Sequence, residues 1–174
     1  IPTFFSLIFM KILISSNSSW NIFNFRINLV KSLLKKGYKI VIVTPLDSYT
    51  EKITSLGCEF IPINFESKSL SPIKNIILIF KYFLVIRKIK PDFYLGFTIK
   101  PNIYGSMVAN YFKINVINNI SGLGTSFLKR GFLNILVKYL YKFSLKNSKK
   151  ILFQNKDDLE LFVKSKIIKQ NRTL

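Results

Sequence analysis

The sequence contains no histidine, and this absence excludes more chemistry than any other feature of the composition. Histidine is the commonest general base, proton shuttle and metal ligand near neutral pH. The single cysteine, Cys58, cannot form a disulfide within the chain, which weakly favours a reducing compartment. Cys58 stands beside an apolar strand, so we interpret it as an inert core thiol rather than a reactive one.

Acidic residues are scarce as well. The chain has 8 Asp and Glu, and the only close group of them is Asp157, Asp158 and Glu160. A site built from cysteine and histidine is impossible, and a site built from carboxylates has almost no candidates. The sequence therefore predicts no metal site.

The few acids leave a large excess of positive charge. The 27 Lys and Arg residues give a formal net charge of +19. Such a chain fits an anionic neighbour, which leaves nucleic acid, an anionic membrane surface and a phosphorylated ligand open. AT-rich coding also enriches Lys, Ile, Asn and Phe together, and it accounts for part of the excess.

The first nine residues are apolar and carry no basic segment ahead of them, which makes them a poor signal peptide. We interpret Met10 as the natural start, with residues 1–9 as a read-through or frayed lead that is too short to span a bilayer. The whole sequence of 174 residues is 49% apolar and is long enough to bury one core. We expect a single domain over residues 10–170.

Strand-like and helix-like segments alternate through this domain. The predicted strands are Lys11–Ser16, Tyr38–Thr44, Cys58–Ile63, Asp92–Thr98, Val116–Ile120 and Lys150–Gln154. The predicted helices are Ile22–Lys36, Thr50–Leu56, Pro72–Lys90, Asn102–Phe112, Gly131–Asn147 and a last one beginning at Asp157. Strands separated by helices form βαβ units with right-handed crossovers. The sequence predicts an α/β domain with a doubly wound parallel sheet, Rossmann-like in architecture.

The helix at 72–90 is apolar on almost every side from Ile76 to Ile86, where only Lys81 interrupts it. These residues cover about 16 Å as a helix, against roughly 30 Å of hydrocarbon in a bilayer. A transmembrane segment is therefore excluded. A helix buried against the sheet is favoured over one that lies partly on a membrane.

Polar loops follow the predicted strands at the edge where open parallel sheets bind ligands. The first loop, Ser15–Ser19, contains Ser16 and Asn17 and suits anions or sugar hydroxyls, although an ordinary polar turn explains it as well. It lacks both the glycines of a dinucleotide-binding loop and the Lys-Ser/Thr pair of a phosphate loop. Redox and NTPase chemistry are therefore poorly supported.

Three later loops add candidate ligand-binding residues. Lys100 follows the fourth strand and suits a phosphate. Gly122 and Gly124 follow the fifth strand and allow a ligand to approach the backbone, as a plain turn also would. Asn155 follows the sixth strand and offers hydrogen bonds to sugar hydroxyls.

The helix at 131–147 is basic on one side. Lys138, Lys142 and Lys146 recur at every fourth residue, and Lys129 and Arg130 precede them. Apolar residues that include Leu136 and Phe143 are predicted on another face. This pattern favours contact with an anionic membrane surface, with a solvated amphipathic helix as the alternative.

Five short motifs occur in one order along the chain. They are Asn24-Phe25-Arg26, Pro45 with Tyr49-Thr50, Lys100-Pro101-Asn102-Ile103-Tyr104-Gly105, Ser121-Gly122-Leu123-Gly124, and Phe153-Gln154-Asn155-Lys156-Asp157-Asp158. In these motifs the chain resembles the N-terminal half of family 4 glycosyltransferases of the GT-B fold, in the branch that builds bacterial capsule, O-antigen and glycoprotein glycans. The resemblance covers Met10 to about Leu161.

The resemblance implies an acceptor-side domain that faces a donor-binding domain across a cleft. The implied acceptor is a polyprenyl-diphosphate-linked sugar, and the implied donor is a UDP-linked sugar. Transfer in such enzymes is retaining and independent of metal, so no cofactor is expected. The candidate acceptor-binding residues are Ser16, Asn17, Arg26, Lys100, Asn102, Gly122, Gly124 and Asn155. The resemblance also implies a cytoplasmic protein held peripherally at the inner face of the plasma membrane; no catalytic residue is assigned.

Two departures from the family pattern leave alternatives open. The first loop is rich in serine where many relatives have glycine. The chain also stops near the expected linker into the donor domain, so we expect this half to be inactive alone. A non-catalytic subunit of a split glycosyltransferase remains open. A basic nucleic-acid-binding module is less favoured, because the lysines are spread over many elements and no nucleic-acid motif occurs.

Overall fold

The computed structural model describes residues 10–67, 69–122 and 131–168. Six parallel strands form one sheet: β1 (Lys11–Ser15), β2 (Lys39–Thr44), β3 (Glu59–Pro62), β4 (Phe93–Phe97), β5 (Asn115–Ile120) and β6 (Lys150–Phe153). Their order is β3-β2-β1-β4-β5-β6. Ile14 of β1 pairs with Ile42 of β2 on one side and Leu95 of β4 on the other. The chain order therefore reverses between β1 and β4, and the predicted doubly wound sheet is confirmed.

Helices connect the strands on both faces of the sheet. They are α1 (Ser19–Lys35), α2 (Thr50–Thr54), α3 (Pro72–Ile89), α4 (Ser106–Tyr111), α5 (Phe132–Leu145) and α6 (Lys156–Lys164), and a π-helical turn (Pro101–Gly105) leads into α4. The predicted bounds agree to within about two residues except at two helix starts. α1 begins three residues earlier because Ser18 caps it, and the helix predicted from Asn102 is a π-helical turn through Gly105 before α4 begins at Ser106.

The core has two parts because side chains alternate across each strand. Leu13 of β1 packs with α3, α4 and α5 on one face of the sheet. Ile12 and Ile14 pack with α1 and α2 on the other face. We call α3, the π-helical turn, α4 and α5 the front layer, and α1 with α2 the back layer.

Cys58 belongs to the back-layer core. Its side chain is buried, and burial raises the pKa of the thiol to about 11. The thiol is therefore protonated at neutral pH, in agreement with its interpretation as an inert core residue.

The structure corrects the predicted packing of α3 and α5. One side of α3 is buried through Leu78, Tyr82 and Ile86, as expected, but the opposite side is an exposed apolar surface rather than a buried one. Leu136 and Phe143 of α5 are also exposed, on the outer surface that carries Lys142, rather than on a separate face. Periodicity alone could not distinguish these faces, since both helices are apolar around most of their circumference.

Candidate functional site

The loop after β4 has an unusual backbone. Thr98 adopts a φ of 65°, in the left-handed region that a β-branched residue rarely enters. The chain then passes through Lys100 into the π-helical turn at Pro101–Gly105. Both features are costly in isolation and are typical of functional loops held by their surroundings.

Tyr94 lies beneath the turn and holds it in place. The hydroxyl of Tyr94 donates a hydrogen bond to the carbonyl of Pro101 at 2.9 Å. Gly105 packs directly against this hydroxyl and leaves no room for a Cβ. Burial raises the pKa of Tyr94 well above its ordinary value, so Tyr94 remains a neutral donor.

A buried network of amides and hydroxyls fixes the other side of the turn. The Asn118 side-chain nitrogen donates to Asn102 Oδ1 at 2.8 Å and to Ser106 Oγ at 2.7 Å. The Ser148 hydroxyl donates to Asn118 Oδ1 at 2.7 Å, and the Asn102 side chain donates to the carbonyl of Asn119 at 2.9 Å. Polar groups that are all paired in this way specify one arrangement of the backbone. The turn is therefore rigid, and Lys100 immediately precedes it.

Lys100 is buried, with 8% of its surface exposed. Its Nζ donates to Asn75 Oδ1 of α3 at 2.9 Å. Burial lowers the pKa of Lys100, and the nearby negative charge of Glu66 only partly opposes that effect. No acidic side chain forms an ion pair with it within the described residues. A buried ammonium with one neutral partner is chemically suited to pair with an anion.

Lys100 lies in a cleft of about 600 Å³ at the carboxyl ends of the strands. Loops after β1, β3, β4 and β5, together with the first turn of α3, contribute the polar part of its lining: Asn17, Ser67, Ser69, Asn75, Thr98, Lys100 and Ser121, with Gly122. Phe65, Leu70, Ile99, Ile103, Tyr104, Leu133, Val137 and Leu140 contribute the apolar part. The cleft therefore suits a molecule that joins an anionic group to an apolar one.

Three of the candidate residues from the sequence meet in this cleft: Asn17, Lys100 and Gly122. Ser16 is buried beside it and donates to Asn21 Oδ1 at 3.0 Å. Asn102 lies behind the cleft, with 1% exposure and its amide bonded within the protein. Gly124 lies outside the described residues.

Two other candidates lie elsewhere. Arg26 is on the back layer, where it donates to Asn119 Oδ1 at 3.2 Å and lies 4.9 Å from the ring centroid of Phe97. It borders an apolar groove of about 590 Å³ between α1 and β4–β6. Asn155 caps α6 by accepting a hydrogen bond from the Asp158 backbone at 2.7 Å.

Sequence reasoning missed Asn75 and the apolar wall from α5. Asn75 lies in the first turn of α3, which starts at the same edge of the sheet as Lys100. A search of helix starts at that edge would have included it. The α5 residues gave no such signal, because core residues have the same apolar spacing.

The predicted membrane-contact residues belong to α5 and its flanks. Lys142 and Lys146 are exposed, and Lys138 is half-buried. Lys129 and Arg130 lie outside the described residues. Across the described ranges, no helix combines the length and hydropathy needed to cross a bilayer.

Two sequence comparisons match glycosyltransferases. The Glycosyl transferase 4-like family matches residues 11–155. The N,N'-diacetylbacillosaminyl-diphospho-undecaprenol alpha-1,3-N-acetylgalactosaminyltransferase of Campylobacter jejuni subsp. jejuni serotype O:2 is 29% identical over 171 residues, which are 94% of this chain and 44% of that protein. The chain thus spans less than half the length of this curated relative.

Solved structures share the fold at lower identity. A glycosyltransferase from Rickettsia africae is 15% identical with a TM-score of 0.66, and it matches 95% of this chain and 42% of its own. MurG from Acinetobacter baumannii is 12% identical with a TM-score of 0.62, over 95% and 44%. A UDP-GlcNAc 2-epimerase from Methanocaldococcus jannaschii is 15% identical with a TM-score of 0.57, over 95% and 44%. Because epimerases share the fold with transferases, the fold alone does not choose the reaction.

Proposed function

Because this chain belongs to the Glycosyl transferase 4-like family, we propose that it forms the acceptor-binding side of a glycosyltransferase acting on a polyprenyl-diphosphate-linked glycan. The observation that carries this proposal is Lys100, a buried cation without an acidic partner in a cleft with an apolar wall. A diphosphate joined to a prenyl chain presents the two chemistries that such a cleft takes. The name of the Campylobacter relative supports the same class of acceptor.

Each part of the cleft has a role in this proposal. The Lys100 ammonium pairs with the diphosphate, while Asn75 orients it from the side. Asn17 and Gly122 offer amide and backbone groups to the acceptor sugar, while Ser16, whose buried hydroxyl donates to Asn21, supports the loop behind them. Asn102 holds the turn that presents Lys100 and so acts as a positioning residue.

Residues outside the cleft are assigned less directly. Gly124 follows Gly122 in the same loop of the sequence and is proposed to contact the acceptor there. Arg26 and Asn155 stand near the carboxyl ends of β5 and β6. We propose that they contact parts of the substrates that extend beyond the cleft.

The proposed reaction transfers a hexose or N-acetylhexosamine from a UDP-linked donor. The bond from the anomeric carbon to the diphosphate oxygen breaks, and a bond to the acceptor hydroxyl oxygen forms on the same face of the sugar. UDP leaves with the bonding electrons, and the hydroxyl proton passes to the oxygen of the leaving diphosphate as the new bond forms. The transfer is proposed to retain configuration and to need no metal.

Acceptor binding tests the proposal. The Lys100→Met variant keeps most of the length of the side chain and removes its charge, while Lys31→Met removes an exposed charge from α1 as a control. We expect Lys100→Met to weaken binding of a farnesyl-diphosphate-linked N-acetylhexosamine by about tenfold or more, as measured by calorimetry, since charge-assisted bonds are strong in buried sites. Equal binding by both variants would contradict the assignment of Lys100.

The matched share of the Campylobacter relative supports a further part of the proposal. We propose that these 174 residues need a donor-binding domain, either continuous with them or as a separate subunit of a split enzyme. Transfer from a UDP-sugar by the 174 residues alone would contradict this. Activity restored by adding a separately produced donor domain would favour the split arrangement.

We also propose that the protein works in the cytoplasm, held peripherally at the inner face of the plasma membrane. The proposed lipid-linked acceptor supports a location at the membrane, and so do the basic residues on α5 and its flanks, Lys129, Arg130, Lys138, Lys142 and Lys146. A DNA mobility shift at physiological salt without any binding to anionic vesicles would instead favour a nucleic-acid partner.

A further inference from the structure

Tyr104 lies in the π-helical turn, and its ring belongs to the apolar wall of the cleft. The residue is 7% exposed, and a tyrosine buried to that degree normally pairs its hydroxyl. The Tyr82 hydroxyl, for example, bonds Ser15 Oγ at 2.9 Å, and the Tyr94 hydroxyl bonds the carbonyl that follows β4 in the turn. Within the described ranges, the Tyr104 hydroxyl has no hydrogen-bond partner. Its capacity to donate and to accept is therefore unused.

This hydroxyl reaches open space rather than the core. Among the described residues, Arg26 Nε is the single side-chain nitrogen or oxygen that is enclosed without a partner. The Tyr104 oxygen is therefore accessible, and Tyr104 lines the Lys100 cleft. Burial raises the pKa of Tyr104, so the hydroxyl keeps its proton at neutral pH. A ligand in the cleft thus meets a neutral hydroxyl donor as well as the Lys100 ammonium.

The turn directs Lys100 and Tyr104 to the same side. A helical backbone completes one turn in about four residues, so side chains four residues apart point in nearly the same direction. Asn102 lies halfway between them and points away, since its amide bonds Asn118 and the carbonyl of Asn119 behind the cleft. Lys100 and Tyr104 both line the cleft. The turn therefore presents a cation and a hydroxyl donor as a pair.

A phosphate group fits both members of this pair. Lys100 forms no ion pair within the described residues, and its Nζ donates to the neutral amide of Asn75. An ammonium has three donor hydrogens, so others are left for a ligand. Phosphate carries several acceptor oxygens, and hydrogen bonds to a charged acceptor are stronger than those between neutral groups. The Tyr104 hydroxyl adds such a bond without the desolvation cost of a second buried cation.

We propose that Tyr104 is a second phosphate-binding residue of the cleft, and that its hydroxyl donates to the same phosphate group that pairs with Lys100. The ring of Tyr104 remains part of the apolar wall, so this one residue touches both the anionic and the apolar part of the ligand. Two sources could supply the phosphate chemistry, a lipid-linked diphosphate and free diphosphate. The inference deepens the proposed function and rests on it for the first of these sources.

Three tyrosines provide a matched set of substitutions that each remove one hydroxyl and keep the ring. Tyr104→Phe removes the proposed donor. Tyr94→Phe removes a hydroxyl that bonds within the protein, and Tyr111→Phe removes one on α4 at a residue that is 74% exposed. In urea denaturation, we expect Tyr104→Phe to keep the wild-type midpoint, because its hydroxyl has no partner to lose, and Tyr94→Phe to lower it. A midpoint for Tyr104→Phe as low as that for Tyr94→Phe would make the hydroxyl structural and overturn the proposal.

Calorimetry with a farnesyl-diphosphate-linked N-acetylhexosamine measures the contact itself. We expect Tyr104→Phe to weaken binding by about tenfold, as for a hydrogen bond to a charged acceptor, and Tyr111→Phe to leave it unchanged. Wild-type binding by Tyr104→Phe, together with weak binding by Lys100→Met, would overturn this inference and leave the proposed function standing. Wild-type binding by both variants would overturn both.

The double variant Lys100→Met with Tyr104→Phe shows whether the two side chains hold one group. If they do, Tyr104→Phe should cost less than about twofold once the ammonium that fixes the phosphate is gone. Losses that multiply in full would place the Tyr104 hydroxyl on another part of the ligand and contradict the proposal.

Inorganic diphosphate separates the two sources of the phosphate group. We expect the wild type to bind it more weakly than the lipid-linked ligand, and Tyr104→Phe to weaken its binding by the same factor of about ten. Equal wild-type affinities for the two ligands would support the phosphate-binding pair but contradict a lipid-linked acceptor. Inorganic diphosphate that binds Tyr104→Phe as tightly as the wild type would overturn the pair.

Discussion

The front and back layers cover opposite faces of one sheet, but they differ in the groups that they bury against it. The back layer meets Ile12 and Ile14 of β1 through aliphatic packing. The front layer adds two buried tyrosines, a π-helical turn and a network of amides below the cleft. Its outer surface is also more apolar than that of the back layer. One sheet thus supports a simple structural layer and a rigid layer that carries the candidate site.

The largest expected difference between the layers comes from adding one methyl group. Gly105→Ala would place a Cβ against the Tyr94 hydroxyl, whereas Gly37, after α1, has open space around it and a φ of 84°. We expect Gly105→Ala to lower the free energy of unfolding by about 3 kcal/mol or more through overpacking. Gly37→Ala should cost about 1 kcal/mol for its left-handed backbone. Urea denaturation measures both, and equal losses would contradict the asymmetry.

Two neighbouring asparagines sharpen the comparison within one strand. Asn118 of β5 points into the front layer and bonds Asn102, Ser106 and Ser148. Asn119 points to the back layer. Among the described residues, its side chain accepts one hydrogen bond, from Arg26. We expect Asn118→Ala to cost about 2–3 kcal/mol, since it leaves buried partners unpaired.

Asn119→Ala should cost about 1 kcal/mol or less, because its partner is only half-buried. Thermal denaturation of both variants, with equal protein concentrations, measures the difference. A larger loss for Asn119→Ala would show that the back layer holds the carboxyl edge more firmly than the amide network does.

The smallest expected effect concerns the charge that the front layer buries. Burial lowers the pKa of Lys100 below its ordinary value of 10.5, so the folded chain releases this proton at lower pH than the unfolded chain. Between those two pKa values the unfolded state binds more protons, and stability therefore rises with pH. We expect the titration of Lys100 to change the free energy of unfolding by about 1 kcal/mol or less, and Lys100→Met to remove this change.

Denaturation midpoints measured from neutral to alkaline pH test whether stability rises as Lys100 loses its proton. Lys31→Met of α1 is the control. Binding of the anionic acceptor should weaken over the same interval, because the ammonium loses its charge. A Lys100→Met chain whose pH profile matches that of the wild type would show that the lysine is solvated rather than buried.

Much of the fold was predictable because local signals agreed with one another. β-branched segments such as Lys39–Thr44 alternate with helices that begin at caps such as Ser71 and end near glycines. The parallel sheet followed from that alternation. The carboxyl edge was predictable for the same reason, and Asn17, Lys100 and Gly122 lie in the cleft there.

The candidate site was less predictable where distant residues determine its chemistry. Lys100 resembles many other lysines in the sequence, and only its contact with Asn75 and its burial distinguish it. Asn102 belongs to the same motif as Lys100, but its amide faces Asn118 rather than the cleft. The direction of each side chain depends on the π-helical turn, which leaves no mark in hydrophobic periodicity.

The sequence by itself determined the parallel α/β architecture, the lack of histidine chemistry and the acid-free stretch from residue 93 to 156. These properties depend on composition and local spacing, which need no knowledge of distant contacts. Tertiary structure alone decided which sides of α3 and α5 meet the sheet and which remain exposed. A helix that is apolar around most of its circumference has no preferred inner face until the sheet covers one side, and in α3 the uncovered side carries Ile73, Ile76 and Phe80.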